Sequence, residues 1–136
     1  NALIPALPMP NERLARRYGS GGFPGTERGR GALKPAYKRG GLITQGSMLI
    51  GNSTGEDSHP INRAVWILKR LLDEPPSPPP ANVPALDSET PGFDKLTLKG
   101  QLAVHREKAA CVGCHCKIDP WGIPLEHYDA AGLYRT

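Results

Sequence analysis

Cys111-Val112-Gly113-Cys114-His115 is the stretch on which the reading of this chain turns. Two thiols on one helical turn can reach the two vinyl groups of a single porphyrin and form thioethers. The imidazole beside the second thiol can then swing under the ring and ligate the iron. C-x-x-C-H therefore reads as an attachment site for c-type haem. Two other chemistries use part of this pattern. A closed zinc site draws its ligands from separated knuckles, but here Cys114, His115 and Cys116 are consecutive and no second C-x-x-C exists. Consecutive residues do not easily take three corners of one tetrahedron. A redox C-x-x-C sits in a strand–turn–helix context, and nothing upstream supplies one.

The 136 residues suffice for one domain, and they include 16 Gly and 15 Pro with only 6% aromatics. This predicts a mainly α chain with extensive irregular Gly/Pro-rich loops, a small cytochrome-like haem domain in which an apolar ring supplies core that the side chains lack. No run of ~18 apolar residues predicts a membrane span. The first residue is Asn1, with no leader visible, so a mature, processed or partial chain is expected. Covalent haem attachment implies a periplasmic or extracellular location. Two of the three cysteines go to haem, leaving Cys116 unpaired.

Charge is uneven. Residues 1–70 hold eleven Lys/Arg against four Asp/Glu, and residues 71–136 hold six against nine. The basic half (Arg13, Arg16, Arg17, Arg28, Arg30, Lys34, Lys38, Arg39) lacks the aromatic interleaving that stacks bases, apart from Tyr18, Phe23 and Tyr37. No nucleic-acid partner is expected; solvated loops, or pairing with haem propionates and an acidic partner, fit better. The Gly-rich region 19–31 also lacks the strand–loop–helix setting of a nucleotide site.

Residues 1–10 read as a proline-rich linker, and 11–136 as a single haem-binding domain in three parts. The basic half spans 11–74. Asn11 caps a helix over 12–18 that Gly19 ends; 19–41 is loop; 42–50 is a short helical or turn-like apolar segment. The main helix is predicted over 60–72, with Ser58 as cap and Pro60 in the first turn. Its apolar face is Ile61, Val65, Leu68 and Leu72, with Arg63, Lys69 and Arg70 on the other side. A proline-rich connector follows over 75–93, stiff and extended; its alternative, a ligand for a proline-binding module, is the weaker reading. The attachment segment is 94–136. A helix starting at Asp94 or Thr97 aligns Leu98, Leu102 and His105, and a third helix is expected over 125–130, closed by Gly132.

The ordered motifs resemble a known family. Asn11-Glu12-Arg13-Leu14-Ala15, Tyr18-Gly19 and Arg39-Gly40-Gly41-Leu42-Ile43-Thr44-Gln45-Gly46-Ser47 are similar to its opening. Ser58-His59-Pro60-Ile61, Arg63, Trp66, the proline run and Asn82-Val83-Pro84 are similar to its middle. His105-Arg106, Cys111-x-x-Cys114-His115, Ile118-Asp119-Pro120, Gly122, Leu125-Glu126, Asp129, Gly132 and Arg135 are similar to its end. The family is the planctomycete-type cytochrome domain, domain of unknown function 1588, and the resemblance spans about residues 11–136. It implies a monohaem c-type module within a larger exported protein, flanked by related domains.

The site follows. Cys111 and Cys114 are the covalent anchors and His115 the proximal ligand, one haem per chain. The other His115 nitrogen needs a carbonyl or carboxylate partner; Asp119, or a carbonyl near Pro120 or Pro124, is within reach. Arg106, Lys108 and Arg135 are candidates for propionate pairing, with ordinary surface charge as the alternative. Trp121 is a candidate for haem contact and Trp66 for core. The distal ligand is expected to come from a segment distant in sequence. His59 is the first choice, Met48 the alternative, and an open or water-ligated iron the third. Met9 lies in the leader. His105 is too close to Cys111 along a helix to fold over the distal face easily, and His127 is expected on the proximal side.

Electron transfer is the function this supports best, with a redox partner protein or neighbouring domains of a longer chain as partners and an oligomer allowed. The alternatives are the haem-containing portion of a multidomain exported enzyme, and a structural subunit of an extracellular assembly in which haem is mainly a staple. No Ser-His-Asp set and no paired-carboxylate pattern points to autonomous catalysis.

Overall fold

Among the described residues, short helices alternate with Gly- and Pro-rich stretches and no strand pairs into a sheet. The computed structural model describes residues 11–19, 25–29, 35–79 and 91–135, and among these the chain is helical and irregular. The one extended feature is an isolated bridge between Tyr128 and Tyr134. The predicted linker 1–10, most of the loop 19–34 and the connector over 80–90 lie outside the described residues. Contacts divide the chain into two units, Asn1–His59 with His127–Thr136, and Pro60–Glu126.

In the first unit, Asn11 Oδ1 accepts from the Leu14 amide at 3.0 Å and starts α1, Glu12–Arg17. This satisfies one of the amide donors that every helix start leaves open. The apolar segment after Gly41 splits into a 3-10 turn, Leu42–Thr44, and α2, Gly46–Gly51, which buries Met48 and Leu49. The Tyr18 hydroxyl accepts from the Gly46 amide. Arg39, read from the sequence as one of a run of solvated charges, is half-buried. Its guanidinium donates to the carbonyls of Thr44 and Gly132 and lies over the rings of Tyr18 and Tyr128.

The helix expected over 125–130 does not form. A 3-10 turn, Ile123–His127, is followed by a tight reversal in which Asp129 and Leu133 exchange hydrogen bonds and the Arg135 amide donates to the His127 carbonyl. Gly132 ends no helix. It holds φ +70 at the reversal, where an added Cβ would stand 3.3 Å from the Leu49 Cβ.

The second unit is built on α3, Pro60–Arg70, and α5, Ala109–Gly122, with α4, Leu98–Arg106, beside α5. Ala64, Leu68 and Ile118 form its core, with Ile61, Val65 and Cys114 packed on them. A fully buried Leu or Ile contributes ~1.5–3 kcal/mol. The axis of the buried face differs from the expected one. Ala64, Ile67 and Leu68 are inside, whereas Leu72 falls beyond the helix and is exposed. Arg63, assigned from periodicity to the polar side, is 0% exposed. Burial is tolerated because partners meet it: its Nη1 donates to the Leu125 carbonyl at 2.9 Å and faces a Glu126 carboxylate oxygen at 3.7 Å. At the far end of α5, Gly122 lies against α3 so closely that a Cβ there would collide with the Pro60 carbonyl. That approach fixes the two helices and hence the height of the cysteines on α5.

Candidate functional site

Thr97 sets the start of α4 by accepting from the Gly100 amide at 3.2 Å. The helix then turns its predicted stripe inward, burying Leu102 and His105. Two residues, Glu107 and Lys108, separate α4 from α5, and α5 carries the whole C-x-x-C-H sequence on successive turns. Cys111 is buried and Cys114 half-buried. Both line a cavity of about 340 Å³ together with His115, Ile118, Ile61, Val65, His105 and the segment Pro76–Pro79. The described part of the proline-rich connector is thus a wall of this cavity, a use that composition alone does not reveal. A second cavity, of about 480 Å³, adjoins it: the two share Cys114, Pro76 and Ser77, and the second is lined further by Lys117 and Trp121.

His115 is oriented by its own helix. Its Nδ1 stands 2.9 Å from Asp119 Oδ1, one turn further on. Of the partners considered for that nitrogen, the structure selects Asp119. The carboxylate fixes Nδ1 as the protonated nitrogen and leaves Nε2 as the base, which is the arrangement by which a histidine ligand is held for a metal. Asp119 is itself buried, and its second oxygen is 3.2 Å from Arg106 Nη1. Arg106 therefore neutralises the carboxylate behind His115. Its side chain is 41% exposed, so the pair is partly screened by water.

His105 stands opposite. Its ring centroid is 5.3 Å from that of His115, with the planes at 70°. Burial lowers the His105 pKa from its ordinary value; the neighbouring His115 and Lys108 act the same way, and Asp119 opposes, which favours the neutral ring. Its Nδ1 is buried without a hydrogen-bond partner.

Haem suits this cavity on two counts. Its walls are apolar, apart from two thiols, two imidazoles and Ser77, and a porphyrin face needs such walls. The buried and unpartnered nitrogen of His105 is a donor atom in want of an acceptor site or a metal. A zinc knuckle suits it less well: among the described residues no group of three or more His, Cys, Asp and Glu side chains converges to hold a metal ion. Cys116 points elsewhere, exposed, with its Sγ 3.2 Å from the Gly113 carbonyl.

The remaining sequence candidates are distributed as follows. Trp121 is largely exposed and lines the adjoining cavity; Trp66 is half-buried on α3. Arg135, Met48 and His59 belong to the first unit. There Arg135 donates to the Ser58 hydroxyl at 2.8 Å, Met48 is buried on α2, and His59 is half-buried. His127 stacks on Tyr134 in the same unit. His105 is the residue that sequence reasoning set aside and the structure places beside His115. The signal was its register with Leu98 and Leu102, which already put it on the inward stripe.

Against known proteins, a family model described as PSCyt3, protein of unknown function (DUF1588), matches residues 39–136. The match begins inside the N-terminal half, later than the resemblance over residues 11–136. Neither the curated proteins nor the solved structures yield a match.

Proposed function

The chain belongs to the PSCyt3 family, and from that premise we propose that its second unit is a monohaem c-type cytochrome module that transfers electrons outside the cytoplasm. The observation that supports this reading best is the convergence of Cys111, Cys114 and an Asp119-oriented His115 on one apolar cavity. Haem bound there supplies a one-electron carrier. The chain's own residues do the rest. Cys111 and Cys114 anchor the ring at one edge. His115 offers Nε2, because Asp119 holds the proton on Nδ1 and stops the ring from turning. A carboxylate in that position makes the imidazole a stronger donor and favours the oxidised metal, which lowers the potential. Ile61, Val65, Ile118 and the proline wall would limit water around a bound haem, so Asp119, backed by the partly exposed Arg106, would act on its charge more strongly than it could in water. Redox partners are other proteins or neighbouring domains of a longer chain, and the module works in the periplasm or outside the cell.

The test is the intact mass of the chain made in a host that attaches haem and then denatured. A haem-sized increment that survives denaturation is expected, and Cys111→Ser with Cys114→Ser should abolish it. A wild-type chain from that host that lacks the increment and instead carries zinc, lost in the double variant, would overturn the reading.

A further inference from the structure

We propose that His105 is the second axial ligand, so that the iron is held between α4 and α5 by His105 and His115; this rests on the haem reading above. Three observations carry it. The first is position. Both rings line the same cavity, with centroids 5.3 Å apart. Histidine nitrogens bind metals at ~2.0–2.1 Å, so two on opposite sides of one ion stand ~4 Å apart and their ring centroids on the order of 6 Å. The two rings need to separate by only about that difference to admit a metal between them. The 70° between their planes is no obstacle, since each ring meets the metal through one nitrogen.

The second observation is the unsatisfied group. His105 is 5% exposed and its Nδ1 has no hydrogen-bond partner. A buried polar atom without a partner is costly, and coordination of a metal by the ring would satisfy it. The third is the donor inventory. Within Pro60–Glu126, His105 is the sole imidazole besides His115, and there is no methionine. Sequence separation is not needed for two ligands to oppose one another. A helix that ends and a second that begins after a two-residue link can present side chains to one cavity, and α4 and α5 do so with His105 and His115.

The consequence is a six-coordinate, low-spin haem without a site for exogenous ligands, which suits electron transfer and not ligand chemistry. The experiment uses the full chain with covalent haem confirmed by mass, and compares His105→Ala, His105→Met, His59→Ala and Met48→Ala by electron paramagnetic resonance and by carbon monoxide difference spectra. The wild type should be low-spin and silent to carbon monoxide. His105→Ala should turn high-spin and take up carbon monoxide stoichiometrically, and added imidazole should restore the low-spin signal. His105→Met should show the thioether charge-transfer band at the red edge of the visible, which also decides the matter if the alanine variant does not fold. A low-spin, carbon-monoxide-silent His105→Ala that keeps its covalent haem overturns the inference and leaves the haem reading intact. Loss of low spin in His59→Ala or Met48→Ala instead moves the ligand to that residue. A chain without covalent haem overturns both.

Discussion

The two units solve the problem of a thin core in opposite ways. The first unit ties irregular segments together with polar bonds across long stretches of sequence: Arg39 to the Thr44 and Gly132 carbonyls, Tyr128 to the Lys38 carbonyl, Arg135 to Ser58. The second unit packs α3 on α5 through Ala64, Leu68 and Ile118, and then leaves an apolar hollow beside that core, walled by prolines and two imidazoles. A unit this small would gain from filling such a space with side chains. On the haem reading proposed above, lining by Cys111, Cys114 and His115 makes the hollow the place where a cofactor completes the core. The difference teaches that polar ties hold the first unit together among aromatic rings and carbonyls, while the second unit leaves a buried imidazole nitrogen without a hydrogen-bond partner.

The largest effect that sharpens this contrast is expected at Arg63. Among the described residues of the second unit it is the one charged side chain that is 0% exposed, and it holds the Leu125 carbonyl beside Glu126. Arg63→Ala leaves that carbonyl without this donor, Glu126 without its counter-charge, and a void between α3 and the end of α5. Removing one partner of a buried pair costs about 3–5 kcal/mol. Urea denaturation followed by far-ultraviolet circular dichroism checks it. A loss below ~1 kcal/mol would mean that Arg63 acts as an ordinary surface charge. Gly122→Ala is expected to cost about 1–3 kcal/mol in the same measurement, because the new Cβ meets the Pro60 carbonyl and the Ala64 side chain at once.

A smaller effect, specific to the hollow, is expected behind His115. Asp119→Asn replaces the carboxylate by a neutral acceptor, weakens the imidazole as a donor and should raise the potential. Changing such an orienting group typically alters metal properties tenfold or more, and a tenfold step in a one-electron equilibrium is ~59 mV. Arg106→Ala should act in the opposite direction and less strongly, since it frees the carboxylate of a counter-charge that water already screens. Spectroelectrochemical titration of the two variants gives the signs. Shifts of the same sign in both would show that Asp119 and Arg106 serve only to hold α4 on α5.

Much of this was legible in the sequence, and what escaped shares a cause. Asn11 and Thr97 announced two helix starts because capping is local chemistry. C-x-x-C-H suggested a cofactor class from its spacing alone, and the helix that carries it brings both thiols and His115 to one cavity. Asp119 was within sight as the partner of His115 because i to i+4 is a helix neighbour. The surroundings of Arg63, Gly132 and His105 were not legible because they depend on residues far along the chain or across a helix pair. Periodicity put Arg63 on the wet side without knowing that a carbonyl and a carboxylate would come to it. Gly132 looked like the end of a helix, when the reversal it makes joins Tyr128 to Tyr134. His105 was set aside for being near Cys111 in sequence, although nearness in sequence does not decide which wall of a cavity a side chain joins. The expected apolar face of α3 drifted for a similar reason. Leu72 would lie on it only if the helix ran two residues past Arg70, and the chain turns away at Asp73 with φ +56.

The smallest effect belongs to the first unit and depends on pH. Tyr128 is buried, its hydroxyl donates to the Lys38 carbonyl at 2.7 Å, and its ring meets Arg39 on one side and Tyr134 edge-on. Burial raises its pKa above the ordinary value of 10.0; Arg39 pulls it down and Tyr134 pushes it up. The folded chain therefore keeps the Tyr128 proton at a pH where the unfolded chain has released it. By linkage, stability falls wherever the unfolded state binds fewer protons than the folded one. Tyr128 thus leaves stability unchanged below about pH 10 and destabilises the fold as pH rises from there towards the folded-state pKa. Tyr128→Phe should cost about 1 kcal/mol at neutral pH through the lost hydrogen bond, and it should flatten the alkaline limb. Unfolding free energies of the two proteins measured between neutral pH and the alkaline range should converge above the ordinary tyrosine pKa. Curves that run parallel throughout would mean that the Tyr128 hydroxyl titrates freely and that the tie to Lys38 is not held in solution.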